Sequence, residues 1–205
     1  MSTAAARSVQ VESAGLVSGT TPYPWPYDAG LTPSRVALLV LGWDETWWRR
    51  SAGSAAIVPT VLGLAEAVDA VIEVHHEPSS GQRRLTPALG DGAPPPLPGA
   101  QVVGAAGIDG FFGGPLDAVL RYQGRDLLLL VGLGLETTVH STMRSANDRG
   151  YECLLIVDAC APLDPDSVAN ARSMVEMSGG IFGAVGTSDH VLAALGDHPC
   201  PGGTR

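Results

Sequence analysis

The sequence contains no lysine, because all twelve of its basic residues are arginines. Lysine is required for Schiff-base catalysis, for lysine general bases and for the phosphate-binding lysine of Walker-type loops, so these chemistries are excluded. Basic side chains are also outnumbered by twenty-one acidic ones, which gives a net charge of -9. A strongly acidic protein repels the phosphate backbone, so nucleic acid is not expected as a partner.

Long apolar runs and paired cysteines are also missing. The longest apolar stretch, residues 127–135, is interrupted by glycines and is too short to cross a bilayer, and residues 1–15 lack the apolar core of a secretory signal. The three cysteines, Cys153, Cys160 and Cys200, show neither a disulfide framework nor a metal-binding spacing. We therefore expect a reduced, cytoplasmic protein with no membrane partner, no metal and no cofactor.

The remaining composition predicts one globular domain. With 205 residues and 45% hydrophobic side chains, the chain is long enough for a single core. Residues 1–34, in which proline and aromatic residues alternate, are predicted to form an extended arm, and residues 35–205 the domain. Apolar runs of strand length are Val36–Leu41, Val71–Val74, Gln101–Val103, Asp126–Val131, Tyr151–Val157 and Ile181–Val185. Predicted helices are Ser54–Ala70, Pro115–Tyr122, Glu136–Arg149 and Asp166–Met177, with a last helix ending at Leu195.

The alternation of strands and helices predicts the fold class. Strands that are apolar on both faces are typical of a parallel sheet that helices cover on both sides. The sequence therefore predicts a three-layer α/β/α domain with a six-stranded parallel sheet. Ligands of such sheets bind at the carboxyl ends of the strands, so functional residues are expected directly after Leu41, Val74, Val103 and Val131.

A dinucleotide-binding interpretation of Gly132-Leu133-Gly134 is weak. The third glycine of the GxGxxG pattern is replaced by Thr137, and the motif follows the fourth strand rather than the first. The longer segment LLLVGLGLETTVHSTMRSANDRGYECLLIVDAC resembles instead the central motif of the isochorismatase-like cysteine hydrolases. Further segments resemble the same family: TPYPWPYDAGLTPSRVALLVL, VIEVHHEP, FFGGPLDAVLR and, in its biuret-hydrolase and ureidoacrylate-hydrolase branch, SGGIFGAVGTSDHVLAAL. The resemblance covers about four-fifths of the chain and implies the isochorismatase-like (Rossmann-like) fold.

The resemblance also implies that the catalytic triad of the family is replaced. The position of the catalytic aspartate at the end of the first strand falls on Gly42, that of the lysine near Ala105, and that of the nucleophilic cysteine on Thr138. The family places a cis peptide bond before the nucleophile, which implies a cis bond at Leu133–Gly134. Its members associate as homodimers or homotetramers, and the aromatic arm with Tyr23, Trp25 and Tyr27 would expose apolar surface in a monomer.

Four side chains are candidates for replacement chemistry. Asp44 lies among Trp43, Trp47 and Trp48, where burial would raise its pKa and suit it to general acid–base catalysis; the alternative is a solvated loop acid. His75 and His76 end a strand, where they either transfer protons or fill space. Thr138 either attacks as a nucleophile or, as is common for threonine, caps its helix. Substrate contacts are expected from Trp43, Phe111, Leu133, Gly134 and Thr138.

Two functions are compatible with this sequence. In the first, the chain acts on a small organic molecule by non-cysteine chemistry, such as acid–base-assisted hydrolysis, isomerisation or cyclisation. In the second, it is a catalytically inactive family member that serves as a binding or assembly subunit.

Overall fold

The structure is a computed structural model that describes residues 15–27, 30–77, 88 and 90–196. Its strands are β1 (Val36–Leu41), β2 (Val71–His76), β3 (Gln101–Ala105), β4 (Leu127–Leu133), β5 (Glu152–Ala161) and β6 (Ala184–Gly186). Its α-helices are α1 (Glu45–Trp48), α2 (Val58–Glu66), α3 (Leu116–Tyr122), α4 (His140–Asp148), α5 (Val168–Glu176) and α6 (Ser188–Gly196).

The six strands form one parallel sheet in the order β3-β2-β1-β4-β5-β6. The chain first builds outward from β1 through β2 to β3 and then returns to the other side of β1 with β4. Residues after β1 and β4 therefore flank the point at which the strand order reverses, which is where ligands bind in sheets of this type. The predicted six-stranded α/β fold is confirmed.

Two apolar clusters cover the two faces of the sheet, because successive side chains of a strand point to opposite faces. Leu38 and Val40 of β1 belong to the first cluster, which α2 and α6 cover. Leu39 and Leu41 belong to the second, which α3, α4 and α5 cover. Since every residue of β1 and β4 is buried, the continuous apolar runs of these strands are explained by helices on both sides.

Several predicted elements have different bounds. Predicted helix 54–70 begins as a 3₁₀ turn, Ser54–Ile57, and α2 ends at Glu66. Predicted helix 136–149 begins with a π-helical turn, Leu135–Val139, in which the amide of Val139 donates to the carbonyl of Gly134. The last strand is shorter than predicted because Gly183 has a positive φ of 113°, so the extended backbone begins only at residue 184.

The described part of the N-terminal segment packs on its own domain. Val17 and Trp25 form an antiparallel bridge, and Thr21 pairs with Val185 of β6. The Trp25 side chain is fully buried by these contacts, whereas Tyr27 is 72% exposed. The aromatic surface that favoured association is therefore partly covered within one chain. No helix of the described residues is long and apolar enough to span a membrane.

Candidate functional site

The carboxyl ends of β1, β2 and β4 bring together a group of residues that we call the switch-point site: Gly42, Asp44, Trp47, His76 and Gly134. The amide of Gly42 donates to the carbonyl of Val74, which ties the end of β1 to the end of β2. Asp44 and Trp47 follow two and five residues later, at the start and within the short helix α1. The site is therefore positioned by the register of β1 and β2 and by the helical turn of α1.

Asp44 is the acidic group of the site. Its Oδ1 accepts the backbone N–H of Trp47 at 3.1 Å, which caps α1, and its Oδ2 accepts the backbone N–H of His76 at 3.1 Å. Burial raises the pKa of Asp44, and the two amide hydrogen bonds offset only part of that rise. A half-buried carboxyl group with a raised pKa holds its proton to a higher pH than an exposed aspartate does, which suits it to general acid–base catalysis.

His76 is a neutral side chain at the same edge. Its Nδ1 lies 3.0 Å from the carbonyl oxygen of Gly107, and a carbonyl can only accept, so Nδ1 carries the proton. Nε2 is then an acceptor, and among the described residues it has no hydrogen-bond partner. Burial lowers the pKa of His76 to about 4, so the ring stays uncharged above that pH.

The indole ring of Trp47 fills the space between the two strand-end glycines. A Cβ at position 42 would lie 3.2 Å from the Cβ of Trp47, and a Cβ at position 134 would lie 3.0 Å from its Cε3. Both glycines have left-handed backbone, with φ of 65° and 72°, which other residues rarely adopt. The ring also meets His76 edge to face, with centroids 6.4 Å apart. A Cβ at position 42 would also lie 2.9 Å from the carbonyl oxygen of Leu133, so a side chain there would be crowded by both neighbours.

Thr138 is fully buried in the π-helical turn after β4. Its hydroxyl donates to the carbonyl of Leu133 and lies 3.2 Å from that of Gly134. Because these contacts hold the hydroxyl against the preceding turn, Thr138 stabilises the strand-to-helix connection.

The predicted cis bond at Leu133–Gly134 is wrong. The cis bonds of the described chain are Thr21–Pro22 and Trp25–Pro26, so this bond is trans. The left-handed conformation of Gly134 makes the turn instead. Its amide donates to the carbonyl of Ala161 at 2.8 Å and to the Ser51 hydroxyl at 3.0 Å, so it points into the protein.

The side chains of three predicted site residues have partners outside the switch-point site. His75 points to the opposite face of β2 from His76, is 41% exposed, and contacts Glu73, with 2.5 Å between Nε2 and Oε1. Phe111 belongs to the second apolar cluster and stacks on Tyr151 at 5.7 Å. Trp43 is buried in the first cluster, and its Nε1 donates to the carbonyl of Pro95.

Sequence reasoning missed the position of the Trp47 ring and the contact of Ser51 with Gly134. The signal for Trp47 was available, because a glycine at each strand end leaves room for a large neighbouring side chain. Nothing in the sequence pointed to Ser51, which lies 83 residues before its partner. Ala105, which was matched to the lysine position, is buried at the last residue of β3.

The described cysteines do not lie at the switch-point site. Cys153 and Cys160 are buried within β5, and burial raises the pKa of both thiols far above its usual range. A thiol that stays protonated is a poor nucleophile. Cys200 lies outside the described residues.

Comparison with known proteins agrees with the fold. Residues 36–189 match the isochorismatase domain. A 76-residue segment is 34% identical to ureidoacrylate amidohydrolase RutB of Methylobacterium radiotolerans; it makes up 37% of this chain and only 30% of that protein.

Solved structures share the architecture at low sequence identity. A cysteine hydrolase from Pseudomonas syringae pv. phaseolicola has a TM-score of 0.69 and 20% identity, over 81% of this chain and 94% of that one. An isochorismatase family protein from Burkholderia thailandensis has a TM-score of 0.64 and 23% identity, over 81% and 97% of the two chains. The nicotinamidase SaPncA of Staphylococcus aureus has a TM-score of 0.55 and 18% identity, over 74% and 98%. The family match spans most of this chain, which therefore belongs to the isochorismatase domain family.

Proposed function

We propose that this protein acts on a small organic molecule at the switch-point site by acid–base chemistry that uses no cysteine nucleophile. The observation that carries the proposal is the Asp44 carboxyl group, which is half-buried at the strand-order reversal with a raised pKa. His76 adds an uncharged ring nitrogen without a partner among the described residues. Hydrolysis, isomerisation and cyclisation of a polar substrate each need a proton donor or acceptor of this kind.

The triad positions support chemistry of a different kind from that of cysteine hydrolases. Position 42 is a glycine under the Trp47 ring, and Thr138 replaces the thiol with a hydroxyl bonded to its own backbone. A threonine nucleophile needs a base beside it, and its described hydrogen-bond partners are carbonyl oxygens. We therefore assign the proton transfer to Asp44 and no covalent intermediate to this chain.

The substrates to test first are amides, ureas and small carboxylates, since the partial relative is a ureidoacrylate amidohydrolase. A compound that binds the folded state raises the melting temperature, so a thermal-shift screen selects candidates for turnover assays. In such an assay Asp44→Asn keeps the shape and removes the ionisable group, and we expect the rate to fall about 100-fold or more. Glu45→Gln is the matched control, because Glu45 is exposed and its described partner is the exposed Arg49. Equal rates for wild type and Asp44→Asn would contradict the proposal.

The pH profile identifies the role of Asp44. A general acid works while it is protonated, so the rate would fall as the pH rises through the pKa of Asp44. A general base works while it is ionised, so the rate would fall as the pH drops through the same pKa. In either case the change in rate should be centred at a pH above the ordinary pKa range of an aspartate. This change should be absent in Asp44→Asn.

A second function, a non-catalytic binding or assembly subunit, is favoured by one specific observation. Tyr27 and Ile181, which are 72% and 64% exposed, line a groove of about 490 Å³ beside Tyr23 and Tyr151. Exposed apolar side chains in a groove are typical of association surfaces, which would fit a homodimer or homotetramer. If this function is correct, Ile181→Glu should lower the mass measured by light scattering, and Asp44→Asn should leave both mass and ligand affinity unchanged.

A further inference from the structure

A second polar cavity lies between α4 and α5, in the helical layer that covers the second apolar cluster. We call it the interhelical cavity; its volume is about 200 Å³, and it is lined by Glu136, His140, Arg144, Ser167, Asn170 and Met174. Pockets for drug-sized ligands start at roughly 300 Å³, so this one suits a smaller molecule.

Arg144 is the cationic group of this cavity, and no described carboxylate lies within ion-pair distance of it. Every other arginine of the described chain donates a hydrogen bond to an oxygen, either of a carboxylate side chain or of a backbone carbonyl. Within the described residues Arg144 makes no hydrogen bond and no ion pair, and its Nε is buried. Its guanidinium carbon lies 4.9 Å from the centroid of the Phe182 ring.

The acidic residue that lines the same cavity does not compensate this charge. Glu136 accepts the backbone N–H groups of Leu163 and Asp164 and the hydroxyl of Ser167, all within 3.0 Å. These donors fix the carboxylate at the turn before α5, and it does not approach Arg144 to ion-pair distance. The guanidinium therefore retains its donors for another acceptor.

His140 lies one helical turn before Arg144 and also lines the cavity. Its side chain is 94% buried, since only 6% of its surface is accessible, and its Nε2 has no partner among the described residues. Burial and the neighbouring guanidinium lower the pKa of His140, so it stays uncharged at neutral pH and leaves Arg144 as the cation. The ring of His140 is also hydrogen-bonded to the backbone of Ala171, so within the described part of the chain its Nε2 alone is free, one helical turn from the unpaired Arg144.

We propose that the interhelical cavity binds the carboxylate of a small organic acid, with the Arg144 guanidinium as its anchor. The planar guanidinium matches a carboxylate with two parallel hydrogen bonds, which are stronger than hydrogen bonds between neutral groups. Ser141, Ser167 and Asn170 supply polar groups for the rest of the molecule. This site is distinct from the switch-point site and does not depend on the function proposed there.

The test compares succinamate with succinamide, which has an amide in place of the carboxylate, by isothermal titration calorimetry on the full chain. We expect saturable one-to-one binding of succinamate, and binding at least about tenfold weaker for succinamide and for Arg144→Gln. Arg172→Gln is the matched control, because Arg172 lies on α5 and is already paired with Glu176. Arg144→Lys keeps the positive charge but not the planar pair of donors, so it should bind with intermediate affinity.

Chemical shifts locate the ligand. In nitrogen–proton spectra the Arg144 Nε–H resonance should move on addition of succinamate, and the resonance of Arg172 should stay in place. Absence of saturable succinamate binding, equal affinity for succinamide, or full affinity in a folded Arg144→Gln protein would each overturn the proposal. It would also fail if Arg144→Gln halved the mass in solution without any change in succinamate binding, because the occupant would then be a second copy of the chain.

Discussion

The switch-point site and the interhelical cavity are both polar, but they differ in how their polar groups are used. At the switch-point site Asp44 accepts two backbone amides, and the Trp47 ring fills the space beside it. In the interhelical cavity Arg144 has no described hydrogen bond and faces open volume. The comparison teaches that Asp44 is held in place by backbone amides, as a proton-transfer group requires, whereas Arg144 keeps its donors for a ligand.

The largest expected effect comes from removing the filling side chain of the switch-point site. Trp47→Ala should lower the free energy of unfolding by about 3–5 kcal/mol, because truncation of a buried aromatic ring leaves a cavity. Urea denaturation measures this loss. Trp47→Phe keeps an aromatic ring between Gly42 and Gly134 and should cost less.

The same substitution tests whether the Trp47 ring is packed between the ends of the strands. If Trp47→Ala were as stable as wild type, the ring would not be packed at the strand ends, and the contrast between a filled site and an open cavity would disappear. If circular dichroism shows that the variant is folded, it should also bind small aromatic molecules in the cavity that the missing ring leaves.

A smaller effect is expected from the pH dependence of His76. Its pKa is about 4 in the folded state and 6.5 as a free side chain, so the unfolded chain binds more protons between these values. Stability should therefore fall as the pH drops from about 6.5 to 4, by up to about 3 kcal/mol from this one group. Unfolding in urea at a series of pH values measures the slope.

The control for this effect is the second buried histidine. His140 also has a lowered pKa and contributes a slope of the same sign. His76→Gln and His140→Gln should each reduce the loss of stability at acidic pH, and the double variant should reduce it by the sum of the two effects. A His76→Gln protein with the wild-type slope would show that this ring is accessible to protons in the folded state, contrary to its buried position.

The sheet could be predicted from the sequence because its signal is local. A fully buried strand is a continuous apolar run, such as the segment from Val36 to Leu41, and the helices between successive strands indicate that the sheet is parallel. The π-helical turn before α4 could not be predicted, because it depends on the hydrogen bond between Val139 and the Gly134 carbonyl rather than on residue preference.

The site could be predicted only in part. Asp44 was found from its position after the first strand, and His76 from the end of the second. Their connection depends on a backbone amide, which every residue except proline carries, so no residue type marks it. The unpaired charge of Arg144 could not be predicted from the sequence either, because the fold decides which side chains lie near it.

The central claim is that this family member works without a thiol nucleophile. The most direct measurement treats the native protein with iodoacetamide, identifies the labelled cysteines by mass spectrometry and then measures turnover of a compound selected by thermal shift. We predict that Cys153 and Cys160 stay unlabelled because they are buried, and that turnover is unchanged. Inactivation that substrate prevents would contradict the account, because a cysteine would then be the nucleophile.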